Sequence, residues 1–249
     1  MKFAVVVPFY NEARGMASTL DALARQTDHE FFLVLVDNAS TDGSAELARA
    51  FAASHRDLPI EVIHEPTKGT GSASDTGFRY AIARGATHIA RTDADCLPDL
   101  NWVRHLKRAF TEDGLEFVAG KITPRTDEVP LSRFDRLVIP LLVSAAERFG
   151  RLHRRGRQFQ YPYILAAGNN LAITAELYVR AGGFPRSSID RVHEDRELSE
   201  RVRTMTAHGG FRKDVIVANS VRRARRYGYV RTVLWYVAHR GGLAEVDVR

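Results

Sequence analysis

The 249-residue chain has a single cysteine, Cys96, so no disulfide can close within it. A lone thiol fits a reducing compartment. No apolar run approaches the ~18–20 residues that cross a bilayer, and no basic segment followed by an apolar one opens the chain. The expectation is a cytoplasmic protein, soluble or in peripheral contact with the inner face of the membrane. No G-x-G-x-x-G follows the first apolar run and no P-loop occurs, which removes the common dinucleotide and nucleoside-triphosphate signatures. Internal repeats, low-complexity tracts and Pro/Gly-rich linkers are also missing, which favours one domain over residues 1–249. Acid is in deficit: the net charge is +6 and the pI about 9.7, a balance suited to anionic partners. The excess is local, in Arg148, Arg151, Arg154, Arg155 and Arg157 and in Arg222, Arg223, Arg225 and Arg226. Neither cluster is interleaved with aromatic platforms or joined to a helix-turn-helix or zinc finger, so nucleic acid is not an expected partner.

What is present begins with buried-strand patterns. Phe3-Ala4-Val5-Val6-Val7 and Phe31 to Val36 are apolar runs, and such continuous runs suit strands covered on both faces; Ile60 to Ile63 and Thr87 to Thr92 read as a third and a fourth strand. Helical patterns separate them: Met16, Leu20 and Leu23; Leu47 and Phe51; and Gly71 to Arg84. Alternating strands and helices imply right-handed crossovers and a mostly parallel sheet flanked by helices. Functional loops then gather at the carboxyl ends of the strands: Pro8 to Glu12, Asp37 to Gly43, Lys68 to Gly77, and Asp93-Ala94-Asp95. Beyond residue 115 the alternation weakens. Glu116 to Gly120 reads as a strand, Leu131 to Phe149 as an amphipathic helix kinked at Pro140, and Gly168-Asn169-Asn170 as a loop ahead of Leu171-Ala172-Ile173. A helix from Ala175 closes with Gly182-Gly183, and His193-Glu194-Asp195 opens another bearing Leu198, Val202 and Met205.

The chemistry centres on Arg91-Thr92-Asp93-Ala94-Asp95-Cys96. Two carboxylates at i and i+2 beyond a strand end can meet around one hard cation that also bridges to phosphate oxygens. The same residues could form a solvated acidic turn before a helix starting near Asp99. Likewise Glu194 and Asp195 could be acids that favour a helix N-terminus.

Taken in order, the motifs resemble the family 2 glycosyltransferases, which have the GT-A fold. Val5-Val6-Val7-Pro8-Phe9-Tyr10-Asn11-Glu12 is similar to the family's opening strand and P-x-Y-N-E loop, and Val36-Asp37-Asn38-Ala39-Ser40-Thr41-Asp42 to V-D-D-G-S-T-D. Gly71 to Gly77 is similar to G-x-A-x-N-x-G, Thr92 to Asp95 to the D-x-D, and Gly182-Gly183-Phe184 with Glu194-Asp195-x-Glu197-Leu198 to G-G-F…E-D-x-E-L. The resemblance implies a Rossmann-like nucleotide-sugar half over about residues 1–115 and an acceptor half over about 116–249. It further implies a UDP-, GDP- or dTDP-sugar donor, a saccharide, lipid-linked or small-molecule hydroxyl acceptor, and inversion by single displacement. Pro8, Phe9, Glu12 and Asp37 would line the nucleotide pocket, with Lys68, Asp75, Asp93, Arg222 and Arg223 near the donor. Asp95, with Asp93, would hold Mg2+ or Mn2+. Asp195 would be the base, with Gly168, Asn169 and Glu194 on the acceptor side and His193 the weaker candidate base. Three departures stand out: Asn38 replaces the usual second acid, Ser74 and Asp75 stand where Arg and Asn are common, and no His lies near Ser220. The rival readings are a sugar-nucleotidyltransferase and a non-catalytic nucleotide-sugar-binding module.

Overall fold

The computed structural model describes residues 1–128, 156–186 and 193–222, scattered positions between 138 and 152, and residue 228. The expected helix over 131–149 lies for most of its length outside the described residues, as do Arg154, Arg155, Arg223, Arg225 and Arg226.

Among the described residues eight strands form one sheet. In chain order the elements are β1 (Phe3–Phe9), α1 (Met16–Ala24), β2 (Phe31–Asp37), α2 (Ser44–Ser54), β3 (Ile60–His64), α3 (Thr70–Ala83), β4 (His88–Arg91), β5 (Cys96–Pro98), α4 (Trp102–Thr111) and β6 (Phe117–Pro124). After a 3-10 turn at Gly168–Asn170 come β7 (Leu171–Thr174), α5 (Ala175–Arg180), α6 (Glu194–Met205) and β8 (Gly209–Asn219). The sheet order is β3-β2-β1-β4-β7-β6-β8-β5. Pairs β3–β2, β2–β1, β1–β4 and β6–β8 are parallel, whereas β4–β7, β7–β6 and β8–β5 are antiparallel.

The strand period of two explains the two-sided core. Phe3, Val5, Val7, Leu33 and Leu35 pack with Leu20, Leu23, Trp102 and Leu106 from α1 and α4. Ala4, Val6, Val34 and Val36 pack with Phe78, Leu177, Tyr178, Leu198 and Val202 from α3, α5 and α6. Each fully buried Val or Leu contributes about 1.5–3 kcal/mol relative to exposure, so the strand centres are fixed. Gly77 makes this closeness possible, since a Cβ there would meet Val6 at 2.4 Å and Val36 at 2.8 Å.

The order β3-β2-β1-β4 places the sheet's reversal between β1 and β4. The loops leaving those two strands therefore flank a crevice of the kind that binds ligands in open α/β sheets. Two elements differ from the sequence expectation. Residues 96–98, in and just after the stretch expected to leave the sheet as a loop, pair with β8, and the helix near Asp99 starts only at Trp102. β8 had no counterpart in the sequence reading, because its first half, Gly209 to Asp214, carries little apolar pattern.

Candidate active site

The first two loops at the carboxyl edge are laced together. Asn11 and Glu12 donate backbone N–H groups to the hydroxyls of Ser40 and Ser44, at 3.1 and 2.8 Å. Ala13 N–H reaches Asp42 at 3.0 Å, and Thr41 N–H reaches the Asn11 side chain at 2.8 Å. Asn11 and Ala39 hold positive φ of 51° and 61°, a region that Asn visits more readily than Ala. Burial pushes the Asp42 carboxyl up, but hydrogen bonds from Ser44 and Ala13 outweigh it and hold the pKa below its ordinary value. Behind this lacing Pro8 and Phe9 are buried. Asp37 is buried too, accepting from Ser40 N–H at 3.0 Å and lying 3.1 Å from His64 Nδ1.

Asn38, the departure from the family's second acid, has a definite job. Its amide donates to the carbonyls of Glu65 and Thr67 at 3.0 and 2.8 Å and accepts from Gly69 N–H at 2.8 Å. A carboxylate could make only the last of these bonds, so Asn38 shapes the loop between β3 and α3. In that loop Lys68 Nζ donates to the Tyr10 hydroxyl at 3.2 Å.

Asp75 is turned inward. It accepts from the Tyr178 hydroxyl and Arg79 Nε, both at 2.8 Å, and lies 3.5 Å from Arg186. Glu65 joins the same network through Thr76, Arg186 Nη2 at 2.8 Å and Thr67 N–H at 2.7 Å. Burial would raise its pKa, but these donors bring it down to about 2.

The acidic pair leaves β4 between two arginines. On one side Arg222 Nη2 reaches Glu12 at 3.0 Å and Asp95 at 3.5 Å, tying the first loop to the D-x-D. Glu128 lies 3.8 Å from Arg222 Nε and accepts from Ser220 at 2.6 Å. Arg125, 2% exposed in its side chain, pairs with Glu128 at 3.2 Å and Asp127 at 2.7 Å and donates to the Asp95 carbonyl at 2.9 Å. Burial, and then the neighbouring Asp93, push the Asp95 carboxyl above its ordinary range, against Cys96 and Arg222.

On the other side the Arg91 guanidinium, also 2% exposed, reaches Asp93 Oδ1 at 3.1 Å and Glu194 Oε1 at 3.1 Å. Residues 93 and 194 are thus joined through one side chain. Glu194 and Asp195 open α6 as the sequence implied, and Asp195 accepts from Gly168 N–H at 2.8 Å and Arg196 N–H at 2.7 Å. Burial raises both carboxyl pKa values and Arg91 opposes it. Asn169 is buried, with its side-chain oxygen lacking a hydrogen-bond partner among the described residues. Asn170 instead clamps the core, accepting from Trp102 Nε1 at 2.9 Å and donating to the carbonyls of Lys121 and Val215 at 3.0 and 3.1 Å. His193 is buried just before α6.

The structure thus links Glu12, Arg222 and Asp95 on one side of the acidic loop, and Asp93 with Glu194 through Arg91 on the other, where Gly168 binds Asp195. Asp75 faces a different neighbourhood, and Arg223 lies outside the described residues. The sequence assigns no role to Arg91, which opens the acidic stretch, or to Arg125, Glu128, Glu65 and Arg186. A signal existed for Arg91, a charge following Ile89-Ala90; Glu128 has Arg125 three residues before it, but its other partners, Ser220 and Arg222, are more than ninety positions away.

Among the described residues no group of three or more His, Cys, Asp and Glu side chains could hold a metal. Asp93 and Asp95 leave the end of β4 two residues apart. That fits Mg2+ or Mn2+ held by one or two carboxylates together with substrate phosphates.

The sequence model described as Glycosyl transferase family 2 matches residues 4–172. Glycosyltransferase AglE of Haloferax volcanii is 31% identical over 121 residues, 48% of this chain and 38% of that protein. An undecaprenyl-phosphate mannosyltransferase of Micrococcus luteus is 36% identical over 96 residues, 38% of each chain. In both cases the match spans well under half of the relative's length. The solved mannosyltransferase PcManGT from Pyrobaculum calidifontis, in complex with GDP-Man and Mn2+, superposes with a TM-score of 0.66. It is 24% identical, and the match covers 98% of this chain and 65% of that one; at that identity the likeness is one of fold.

Proposed function

Because this chain belongs to glycosyl transferase family 2, we propose that it moves a sugar from a nucleotide-diphosphate-sugar to a hydroxyl acceptor, with inversion at the anomeric carbon. The observation that carries the reading is the meeting of Asp93 and Glu194 on the Arg91 guanidinium, at 3.1 Å each. It sets the acidic pair at the end of β4 beside the acids that open α6.

In this reading the laced loops carrying Pro8, Phe9, Glu12 and Asp37 hold the nucleotide, with Lys68 at their edge. Asp95, with Asp93, would hold a divalent cation, which when bound neutralises charge on the departing diphosphate. Arg222 sits beside Asp95 and Glu12 with a planar fork suited to phosphate oxygens. Asp195 takes the proton of the acceptor hydroxyl as that oxygen attacks the anomeric carbon. Its Oδ2 is oriented by Gly168 N–H, and Glu194 and Asn169 lie on the acceptor side. Asp75, held by Tyr178 and Arg79, contributes by fixing α3 rather than by touching the donor. The relative acting on undecaprenyl phosphate makes a lipid-linked acceptor the one to try first. No described helix is long and apolar enough to cross a membrane. Contact with an anionic surface through the 148–157 arginines is part of the same proposal.

The test is a panel of UDP-, GDP- and dTDP-sugars screened for thermal stabilisation with and without Mn2+, followed by product analysis with a lipid-linked saccharide, whose hydroxyl needs a base, beside undecaprenyl phosphate, whose phosphate oxygen does not. The reading expects release of a nucleoside diphosphate and an inverted product. Release of pyrophosphate when a nucleoside triphosphate and a sugar 1-phosphate are supplied instead would favour nucleotidyl transfer, and Mn2+-dependent binding without turnover would favour a binding module.

A further inference from the structure

Arg91 occupies a position where an apolar side chain would cost less. It ends β4 after Ile89 and Ala90, both fully buried, and is itself 2% exposed. Replacing a buried ion pair by packed apolar residues is commonly neutral or stabilising, so stability does not account for a guanidinium here. Its contacts come from four separate segments. Nε and Nη2 both face Asp93 Oδ1 at 3.1 Å, and Nη1 faces Glu194 Oε1 at 3.1 Å. The Phe184 ring, from the Gly182-Gly183-Phe184 turn, lies 5.5 Å from the guanidinium carbon. Gly168 is seated directly on the fork, since a Cβ there would stand 2.8 Å from Cζ and Nη1 and 2.9 Å from Nη2. The same Gly168 gives its N–H to Asp195 at 2.8 Å.

From this geometry we infer that Arg91 is a positioning residue. It sets the separation between the donor-side carboxylate Asp93 and the acceptor-side unit of Glu194, Gly168 and Asp195. Only a planar fork with donors on several edges can face all of these at once; an ammonium is a compact point charge on a flexible stem. The inference rests on the reading of Asp195 as the base and of Asp93 as a donor-side group. It adds that reach between the two is fixed by Arg91, and it gives Phe184 and Gly168 their reasons for standing against that side chain.

The experiment compares the wild type with Arg91→Lys, reading nucleoside diphosphate release for turnover and GDP and UDP binding in Mn2+ for the donor side. Arg91→Lys keeps the charge and loses the fork. The expectation is nucleotide Kd within about 3-fold and kcat lowered by roughly 10²-fold, the scale of a misplacement near 1 Å. Turnover within about 3-fold of wild type would overturn the inference. If Arg91→Lys does not fold, the comparison passes to Glu194→Gln against Arg91→Gln/Glu194→Gln, which removes the buried ion pair as a unit. A further fall of at least about 10-fold in kcat on adding Arg91→Gln, with nucleotide binding kept, supports positioning beyond Glu194. Equal turnover of the two would mean that Arg91 serves only to neutralise that acid, and would overturn it. Asp195→Asn is assayed in parallel. Full activity there sinks the base assignment, whereas an inactive Asp195→Asn beside an unaffected Arg91→Lys sinks only the present inference.

Discussion

Gly168→Ala is a single-methyl perturbation whose consequence can be worked from distances. The added Cβ would stand 2.8 Å from Arg91 Cζ and Nη1, against an ordinary contact of 3.4–4 Å. Something must therefore move by at least about 0.6 Å. Arg91 has little room to yield, being buried and held by Asp93 and Glu194. The strain falls instead on the 168–170 turn, whose first N–H lies 2.8 Å from Asp195 Oδ2. Lengthening that bond by the same amount takes it to about 3.4 Å, beyond a normal N–H···O bond. Overpacking of this kind costs about 1–3 kcal/mol. For a chain of this size that lowers Tm by roughly 2–12 °C. The loosened base should lower kcat by about 10-fold to 10²-fold while nucleotide affinity is kept, because Arg91 and its contact with Asp93 hold their place. The assay is thermal unfolding alongside nucleoside diphosphate release. A variant with Tm within 1 °C and turnover within 2-fold of wild type would refute the reasoning.

Other outcomes follow from separate parts of the molecule. Asn38→Asp replaces two donated hydrogen bonds by repulsion with the Glu65 and Thr67 carbonyls, and should cost about 2–3 kcal/mol in urea unfolding while weakening nucleotide binding. Glu65 has its pKa lowered to about 2, so its contribution to stability is present above the unfolded value near 4.5 and is lost as pH falls toward 2. Glu65→Gln should therefore lower Tm at pH 7 and flatten the acid limb of stability; an unchanged limb would contradict this. The Asp195 pKa is raised chiefly by burial, and a base must be deprotonated. The acid limb of kcat/KM should lie above the ordinary aspartate range and rise with pH, and a limb at or below pH 3.8 would count against the assignment. Ala39→Gly, at φ 61°, should relieve about 1 kcal/mol of backbone strain, part of it returned as unfolded-state entropy; a loss of stability on denaturant titration would show that the Ala39 methyl is needed.

The parallel half was legible because β1 and β2 are covered on both faces, so their apolar runs are continuous and the turn residues stand where the strands end. The acid pairs were legible for the same reason, as charges placed at strand and helix ends. β8 was not, because pairing with β6 and β5 supplies what its polar first half does not announce. β5 is three residues long and follows directly from the acidic loop. The placement of Asp75 rests on the Tyr178 hydroxyl, a contact across 103 positions, and that of Arg91 on Glu194, also across 103. Such pairings are made by the fold and leave no local pattern. The replacement of acid by amide at 38 was visible in the sequence, but its reason needed the carbonyls of Glu65 and Thr67.

The account's central claim is tested most directly by Asp195→Asn, read in one preparation for nucleotide-sugar binding and for nucleoside diphosphate release. The substitution keeps the side chain's shape and removes its basicity, and proton transfer by such a group contributes about 10²–10⁴-fold. The account predicts a turnover loss of that order with donor Kd nearly unchanged. Near-normal turnover in Asp195→Asn, with Glu194→Gln inactive, would contradict it and move the base one residue back along α6.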